Sequence, residues 1–450
     1  MSCGRRGLTR LCFGVVVYLL TRFPVVAQAP RNSQPVAFVH LTIVDAVEGR
    51  LLPNMTIVVQ GDRITRVEES SAFRAPADAK LVDARGKFAI PGLWDMHVHL
   101  SWATESALPI LLANGVTSVR DTGSRLSEID GWRTEISTGI RPGPRIVRAG
   151  PILNGQSFNQ YQMVVGNPDE ARGVVRALKA AGVDFIKIHR RIPRDSYFAL
   201  MDEARKQDIR VVGHVPLTVK PEEASDAGQA SIEHTETLFE GAVTNGELLD
   251  LTGESIRKYL AEHGSALFAK FVANHTVVTP TLGAWKAEIA ARDGSVPDPN
   301  VRYIAASLRR IPVEPLNLPL KEVFDGLCDA VRQMHSTGVT LMVGADVSAA
   351  PRIPGFLMHD ELATLVACGL TPAEALRAAT LVPATLLGRQ SEIGTIQVGK
   401  IADIVLLSEN PLDDIRNSRK IWTVVAAGKV LQRGDLDRLL RAAERLPATH

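Results

Sequence analysis

Six residues able to bind or activate a divalent cation follow one another along the chain: His97, His99, Lys187, His214, His234 and Asp346. Each stands at or just past the end of a short apolar run: PGLWDMHVHL, VDFIKIH, IRVVGHV, SIEH and LMVGAD. Such runs read as strands, and in an alternating β/α protein the strand ends collect at one mouth. Four imidazoles and a carboxylate are the borderline ligands taken by Zn²⁺ and related ions. His97 and His99 are two residues apart, so on an extended strand both side chains share a face and can grip one ion. A single histidine of this set would read as a hydrogen-bonded core residue; four at successive strand ends read as a metal site. Lys187 is the odd member. An amine with an ordinary pKa of ~10.4 is an ammonium at neutral pH, and it binds no cation unless it is neutralised or modified.

The elements that must position these residues are visible in the pattern. Residues 36–90 carry short β segments, AFVHLTIVDA, MTIVVQGDRITRVEE and KLVDARGKFAI, and the same texture returns in GTIQVGKIADIVLLS and KIWTVVAAGKVLQRG. One composite β domain built from both chain ends, with a barrel inserted between them, accounts for both. Within the insertion, strand-like and helix-like runs alternate, the pattern of a parallel (β/α)8 TIM-type barrel. Its strands are expected near 93–99, 116–120, 145–150, 183–188, 210–214, 231–234, 276–281 and 340–345. The fold class is therefore α/β, divided into an N-terminal β part (30–90), the barrel (91–390) and a C-terminal β part with a tail (391–450). Two longer excursions, about 238–274 and 284–320, are expected to lie over the mouth, where specificity usually resides.

The order His-x-His, Lys, His, His, Asp on strands 1, 4, 5, 6 and 8 resembles the amidohydrolase superfamily, in its binuclear branch. VGKIADIVLL is similar to the C-terminal strand signature of that superfamily. Within it the chain resembles the imidazolonepropionase-related and Xaa-Pro dipeptidase group, over nearly all of the mature chain. The resemblance implies two divalent ions, Zn²⁺ first among them, bridged by a hydroxide and by a CO₂-derived carbamate on Lys187. It implies that His97, His99 and Asp346 hold one ion and His214 and His234 the other. Asp346 would also be catalytic, taking the nucleophile's proton and passing it to the leaving nitrogen. The implied activity is hydrolysis of a C–N amide bond, in dipeptides or N-acyl amino acids. One departure bears on substrate: Lys187 is followed by Ile-His-Arg-Arg, not by the glycine-rich loop of characterised dipeptidases. A lactonase, phosphotriesterase or cyclic-amide hydrolase could use the same site, and a non-catalytic barrel that binds a ligand or stores metal is the remaining alternative.

Length and charge agree with an enzyme of small molecules. The 450 residues, 45% hydrophobic, exceed the about 250 that such a barrel needs. Arg5, Arg6 and Arg10 precede an apolar stretch, Leu11 to Leu20, and Ala27-Gln28-Ala29 is an A-x-A cleavage site, so 1–29 reads as a signal peptide. Ten apolar residues are too few to span a bilayer, and no stable membrane anchor is expected in the mature chain. A periplasmic or secreted enzyme follows. Without that segment the chain has 47 basic and 49 acidic residues, and no basic block suggests nucleic acid as a partner. An oligomer is compatible with these features. Cys328 and Cys368 both lie in helical sequence and read as buried free thiols, although an oxidising compartment would allow a bridge between neighbouring helices.

Three further side chains are candidates for substrate contact. His189 lies two residues beyond Lys187 and shares its facing, Arg120 follows strand 2, and Asn154 follows strand 3. Arg190, Arg191 and Arg352 are cations near the expected mouth and could meet a substrate carboxylate.

Overall fold

The β-branched, alternating sequence VAFVHLTIVD forms strand β1 (Val36–Asp45) at the centre of the first sheet of this computed structural model, which describes residues 34–243, 251–293, 298–309 and 319–445. The expected signal peptide lies outside the described residues. β1 pairs antiparallel with β2 (Arg50–Gln60), which turns through Gly61 into β3 (Arg63–Glu69). β4 (Lys80–Asp83) and β5 (Phe88–Pro91) both lie parallel to β1. Phe38, Leu41 and Ile57 from this end share a core with Ile404, Leu406 and Val425 from the other.

The barrel begins directly after β5. β6 (Leu93–Val98), β7 (Val116–Asp121) and β8 (Arg145–Arg148) form one parallel run. The third barrel strand breaks at Gly150, whose φ of +80° suits glycine, and resumes as β9 (Ile152–Asn154), flanked by the short β10 (Gln162–Val164). A bond from Asp184 N to Arg148 O at 2.9 Å carries the wall onward to β11 (Ile186–Ile188). β12 (Val211–Gly213), β13 (Ser231–Glu233) and β14 (Val277–Thr279) follow in parallel. The segment 341–347 closes the ring through bridges from Leu341 to Val278 and from Val347 to Val98.

This last wall was expected as a strand near 340–345 and instead makes isolated bridges. Its donors are diverted: Ala345 N bonds Oδ1 of Asp95, and Val343 N bonds Ala378 O. Gly344 makes the close passage possible, because a Cβ there would lie 2.6 Å from Thr279 Cγ2 and 2.7 Å from His97 Cβ.

Helices wrap the outside. Helix Pro168–Ala180 shows why: Asn167 caps it by accepting from the N–H groups of Asp169 and Glu170, proline starts it, and Ala171, Val175 and Leu178 form its buried stripe. The first excursion departs from expectation in its described part. Helices Gly253–Tyr259 and Ser265–Ala273, joined by a π turn, pack on helix Leu320–Thr337, where a Cβ at Gly326 would come within 3.2 Å of Gly253 Cα. That excursion belongs to the outer layer because its apolar side chains, Ile256, Leu267 and Phe271, are spent in the barrel core. The free-thiol expectation is also corrected. Cys328 and Cys368 form a disulfide, their helices being neighbours with Cα atoms 5.2 Å apart.

The chain end returns through β15 (Ile404–Leu407), β16 (Ile421–Ala426) and β17 (Lys429–Gln432), and β15 pairs antiparallel with β5, setting Ile404 opposite Pro91. The composite β domain is thus a sheet in the order β17-β16-β15-β5-β1-β2-β3 with β4 beside β1. Arg145 ties it to the barrel by donating to Asp403 at 2.8 Å. Helix Arg433–Arg445 then leaves the β domain, setting Leu440 and Ala443 beside Ile110 of the outer helix Ala107–Ala113. Among the described residues no helix is long and apolar enough to cross a membrane.

Candidate metal centre

The strand ends bring all six predicted ligands to one place. His97, the fifth residue of β6, sets Nε2 3.5 Å from Oδ1 of Asp346, and His99 Nε2 lies 3.4 Å from the same oxygen. His234 follows β13 with its ring centroid 4.5 Å from that of His97. One donor atom each from His97, His234 and Asp346 lies within 4.8 Å of the others. Lys187, in the middle of β11, points Nζ at His97 Nε2 from 3.4 Å. His214 follows β12 and lies 4.6 Å from His234, ring to ring.

Backbone geometry explains how the later ligands reach the mouth. His234, Thr281 and Asp346 have φ of +67°, +54° and +53° at three successive strand ends. A side chain in this left-handed region costs roughly 1–3 kcal/mol, and such residues persist where their surroundings fix them. His234 is fixed by its own N–H to Thr279 O at 2.9 Å, while Thr281 Oγ1 lies 2.9 Å from its Nδ1.

Burial dominates the electrostatics. It pushes Lys187 down to about 8, assisted by the Arg120 charge. His97 is held down at about 3 by burial and by the Lys187 charge, so its 2.9 Å contact with Glu233 is a neutral imidazole N–H on a carboxylate, not an ion pair. Burial likewise holds His214 and His234 well below the imidazole range. Burial opposes ionisation of Asp346, yet Arg352, which donates Nη1 to its Oδ2, and the neighbouring histidines keep its carboxyl well below the usual range. The result is a set of neutral imidazole lone pairs around a carboxylate, the form in which these groups bind metal.

The residues fit divalent ions on two further counts. His214 Nδ1 is buried without a hydrogen-bond partner, a costly state that a ligand would relieve. Lys187 is 1% exposed and, among the described residues, forms no ion pair, so its amine is left facing the ligand set.

The substrate-contact expectations divide. His189 lines the centre, its ring 4.2 Å from His214 and its Nδ1 unpartnered. Arg120 does not face the mouth. It is 1% exposed beneath His97 and donates to Met96 O at 2.7 Å, to Ser231 Oγ at 2.9 Å and to Glu233 Oε1 at 2.6 Å. Asn154 is also committed to structure, its Oδ1 accepting from Gly155 N and Arg191 N and its amide donating to Gln162. Both were placed at the mouth from strand ends alone, which do not reveal side-chain direction. Sequence reasoning missed Glu233, Thr281 and Trp102, whose ring stacks on His99 at 4.9 Å. Only Glu233 left a signal, an acid inside the apolar run SIEH.

Residues 88–431 match the amidohydrolase family. The chain belongs to that family. It is accordingly a hydrolase of carbon–nitrogen bonds in a family that is typically metal-dependent, and the donors at the mouth are its candidate metal site. This amidohydrolase is 24% identical to the imidazolonepropionase of Symbiobacterium thermophilum over 392 residues, 80% of this chain and 85% of the relative. It is 23% identical to the ochratoxinase of Aspergillus niger, over 88% of this chain and 86% of the relative. Among solved structures it is similar to a candidate prolidase from Bifidobacterium longum, with 30% identity, a TM-score of 0.69, and coverage of 91% of this chain and 99% of that one.

Proposed function

We propose that this amidohydrolase is an exported, metal-dependent enzyme that cleaves the amide bond of dipeptides or N-acyl amino acids and releases the C-terminal amino acid. The observation that carries the reading is the convergence of His97, His99, Lys187, His214, His234 and Asp346, with Asp346 within reach of both halves of the set. His97, His99 and Asp346 would hold one ion, His214 and His234 the other, and Lys187, as a carbamate, would join them. Divalent ions bound there would lower the pKa of water from ~15.7 toward ~7 and so supply a nucleophile at neutral pH.

The rest is the work of this chain's side chains. Asp346 is ionised and can accept a proton at a carboxylate oxygen, then give it to the leaving nitrogen. Arg352, about one-third exposed beside Asp346, is the cation best placed for a substrate carboxylate. The likeness to a candidate prolidase supports a substrate of the dipeptide class. Export is supported by the basic and apolar N-terminal segment and by the Cys328–Cys368 disulfide, a bond that oxidising compartments preserve.

Mass spectrometry of a pooled library of dipeptides and N-acyl amino acids tests the reading, using enzyme loaded with metal and bicarbonate and its Asp346→Asn variant. Release of free amino acids by the wild type alone is the expected result. No release by a chain shown to hold metal would contradict the substrate class and direct the search to lactones, phosphoesters and cyclic amides.

A further inference from the structure

One fully buried acid, Glu233, plays no part in the ligand set, yet every hydrogen-bonding edge it presents is committed. Its Oε2 lies 2.9 Å from His97 Nδ1. Its Oε1 accepts from Arg120 Nη2 at 2.6 Å and from Ser231 Oγ at 2.5 Å. Arg120 is fixed in turn, donating Nη1 to Ser231 Oγ and Nε to Met96 O, the carbonyl just before His97. A carboxylate bound to a guanidinium offers no proton, so the contact with His97 requires the proton to sit on Nδ1. The lone pair is then on Nε2, the nitrogen that faces Lys187 Nζ at 3.4 Å and Asp346 Oδ1 at 3.5 Å.

We infer that Glu233, clamped by Arg120 and Ser231, is a positioning residue that fixes the tautomer and ring orientation of His97 for metal binding. The inference rests on the metal reading of the site. A carboxylate behind a ligating histidine raises the basicity of the ligand and holds its ring in place, and its loss typically weakens metal binding 10–100-fold. The arrangement also connects the two halves of the centre. β13 ends Glu233-His234, and the left-handed turn at His234 sends one side chain under His97 and the next to the mouth. One strand end therefore supplies a ligand to one half and orients a ligand of the other.

Two measurements on the Glu233→Ala variant test this. The first is ¹⁵N NMR of the His97 ring in metal-free protein, assigned by its absence in a His97→Gln variant. The wild type should show an Nδ1-protonated neutral ring and Glu233→Ala a mixture of tautomers. The second is Zn²⁺ affinity by chelator competition, with the visible spectrum of the Co²⁺ protein as a signature of ligand geometry. Glu233→Ala should bind about 10–100-fold more weakly with an altered spectrum. Glu233→Gln, whose amide oxygen still accepts from Nδ1, should recover part of the loss. If the unpaired Arg120 prevents Glu233→Ala from folding, the R120M/E233L variant removes both charges and the same two readouts apply. An unchanged tautomer, or wild-type affinity and spectrum in the variant, would overturn the inference. A wild-type chain that binds no metal would instead overturn the metal reading, while the tautomer measurement would still decide what Glu233 does to His97.

Discussion

Lys187 sets its amine 3.4 Å from Nε2 of His97 in a buried position, and burial draws its pKa down to about 8. Only the neutral amine attacks CO₂, so formation of a carbamate should accelerate as pH rises through that value. At a fixed concentration of dissolved CO₂, metal-free enzyme given Zn²⁺ should therefore regain activity faster at pH 9 than at pH 7. A rate that does not change across this interval would contradict the role given to Lys187.

Asp346 lies beside both His97 and His99 and is the one carboxylate among the predicted ligands. A general base and acid contributes about 10²–10⁴-fold to a rate. Asp346→Asn should lower turnover by that order, beyond any loss of metal measured in the same preparation. Turnover within a few-fold of wild type, with metals retained, would remove Asp346 from the proton path.

Much of this was legible in the sequence because the informative residues interrupt apolar strands. His-x-His after PGLWDM, Lys187 inside FIKI and Asp346 after LMVGA stand out against runs that otherwise bury completely. The composite β domain was legible because short β-rich runs recur at both chain ends, and those ends pair through the buried strands β5 and β15. Side-chain direction was not legible. Arg120 looked like a mouth residue and turned inward to meet Glu233, a partner 113 residues away. Thr281 gave no signal, because its hydrogen bond to His234 depends on two left-handed strand ends. The disulfide was missed because helical sequence does not say which helices are neighbours around a barrel.

Cys328 and Cys368 close a loop of 40 residues. The loop-entropy relation gives about 4 kcal/mol of stabilisation for such a bridge. The C328S/C368S variant, or wild type in reductant, should unfold at a thermal midpoint several degrees lower by calorimetry. An unchanged midpoint would mean that the bridge adds nothing to stability.

Glu361, buried in helix Phe356–Ala367, accepts from Gly283 N at the start of helix Leu282–Arg292, and burial raises its carboxyl to about 8. Its folded pKa lies above its ordinary value of 4.5, so between those values the native state keeps a proton that the unfolded chain has lost. Its contribution to stability is therefore complete below pH 4.5 and declines as pH rises to about 8. Glu361→Gln, which cannot ionise, should flatten the decline in urea stability across this window. An identical slope in the variant and the wild type would show that Glu361 ionises normally.

Lys187 and its neighbours are proposed to form a two-metal centre. Metal analysis of wild type and Lys187→Ala, both reconstituted with Zn²⁺ and bicarbonate and then freed of excess ion, tests it most directly. The wild type should hold two equivalents per chain, and the variant should lose most of its bound metal. Two equivalents retained by Lys187→Ala would contradict the proposal.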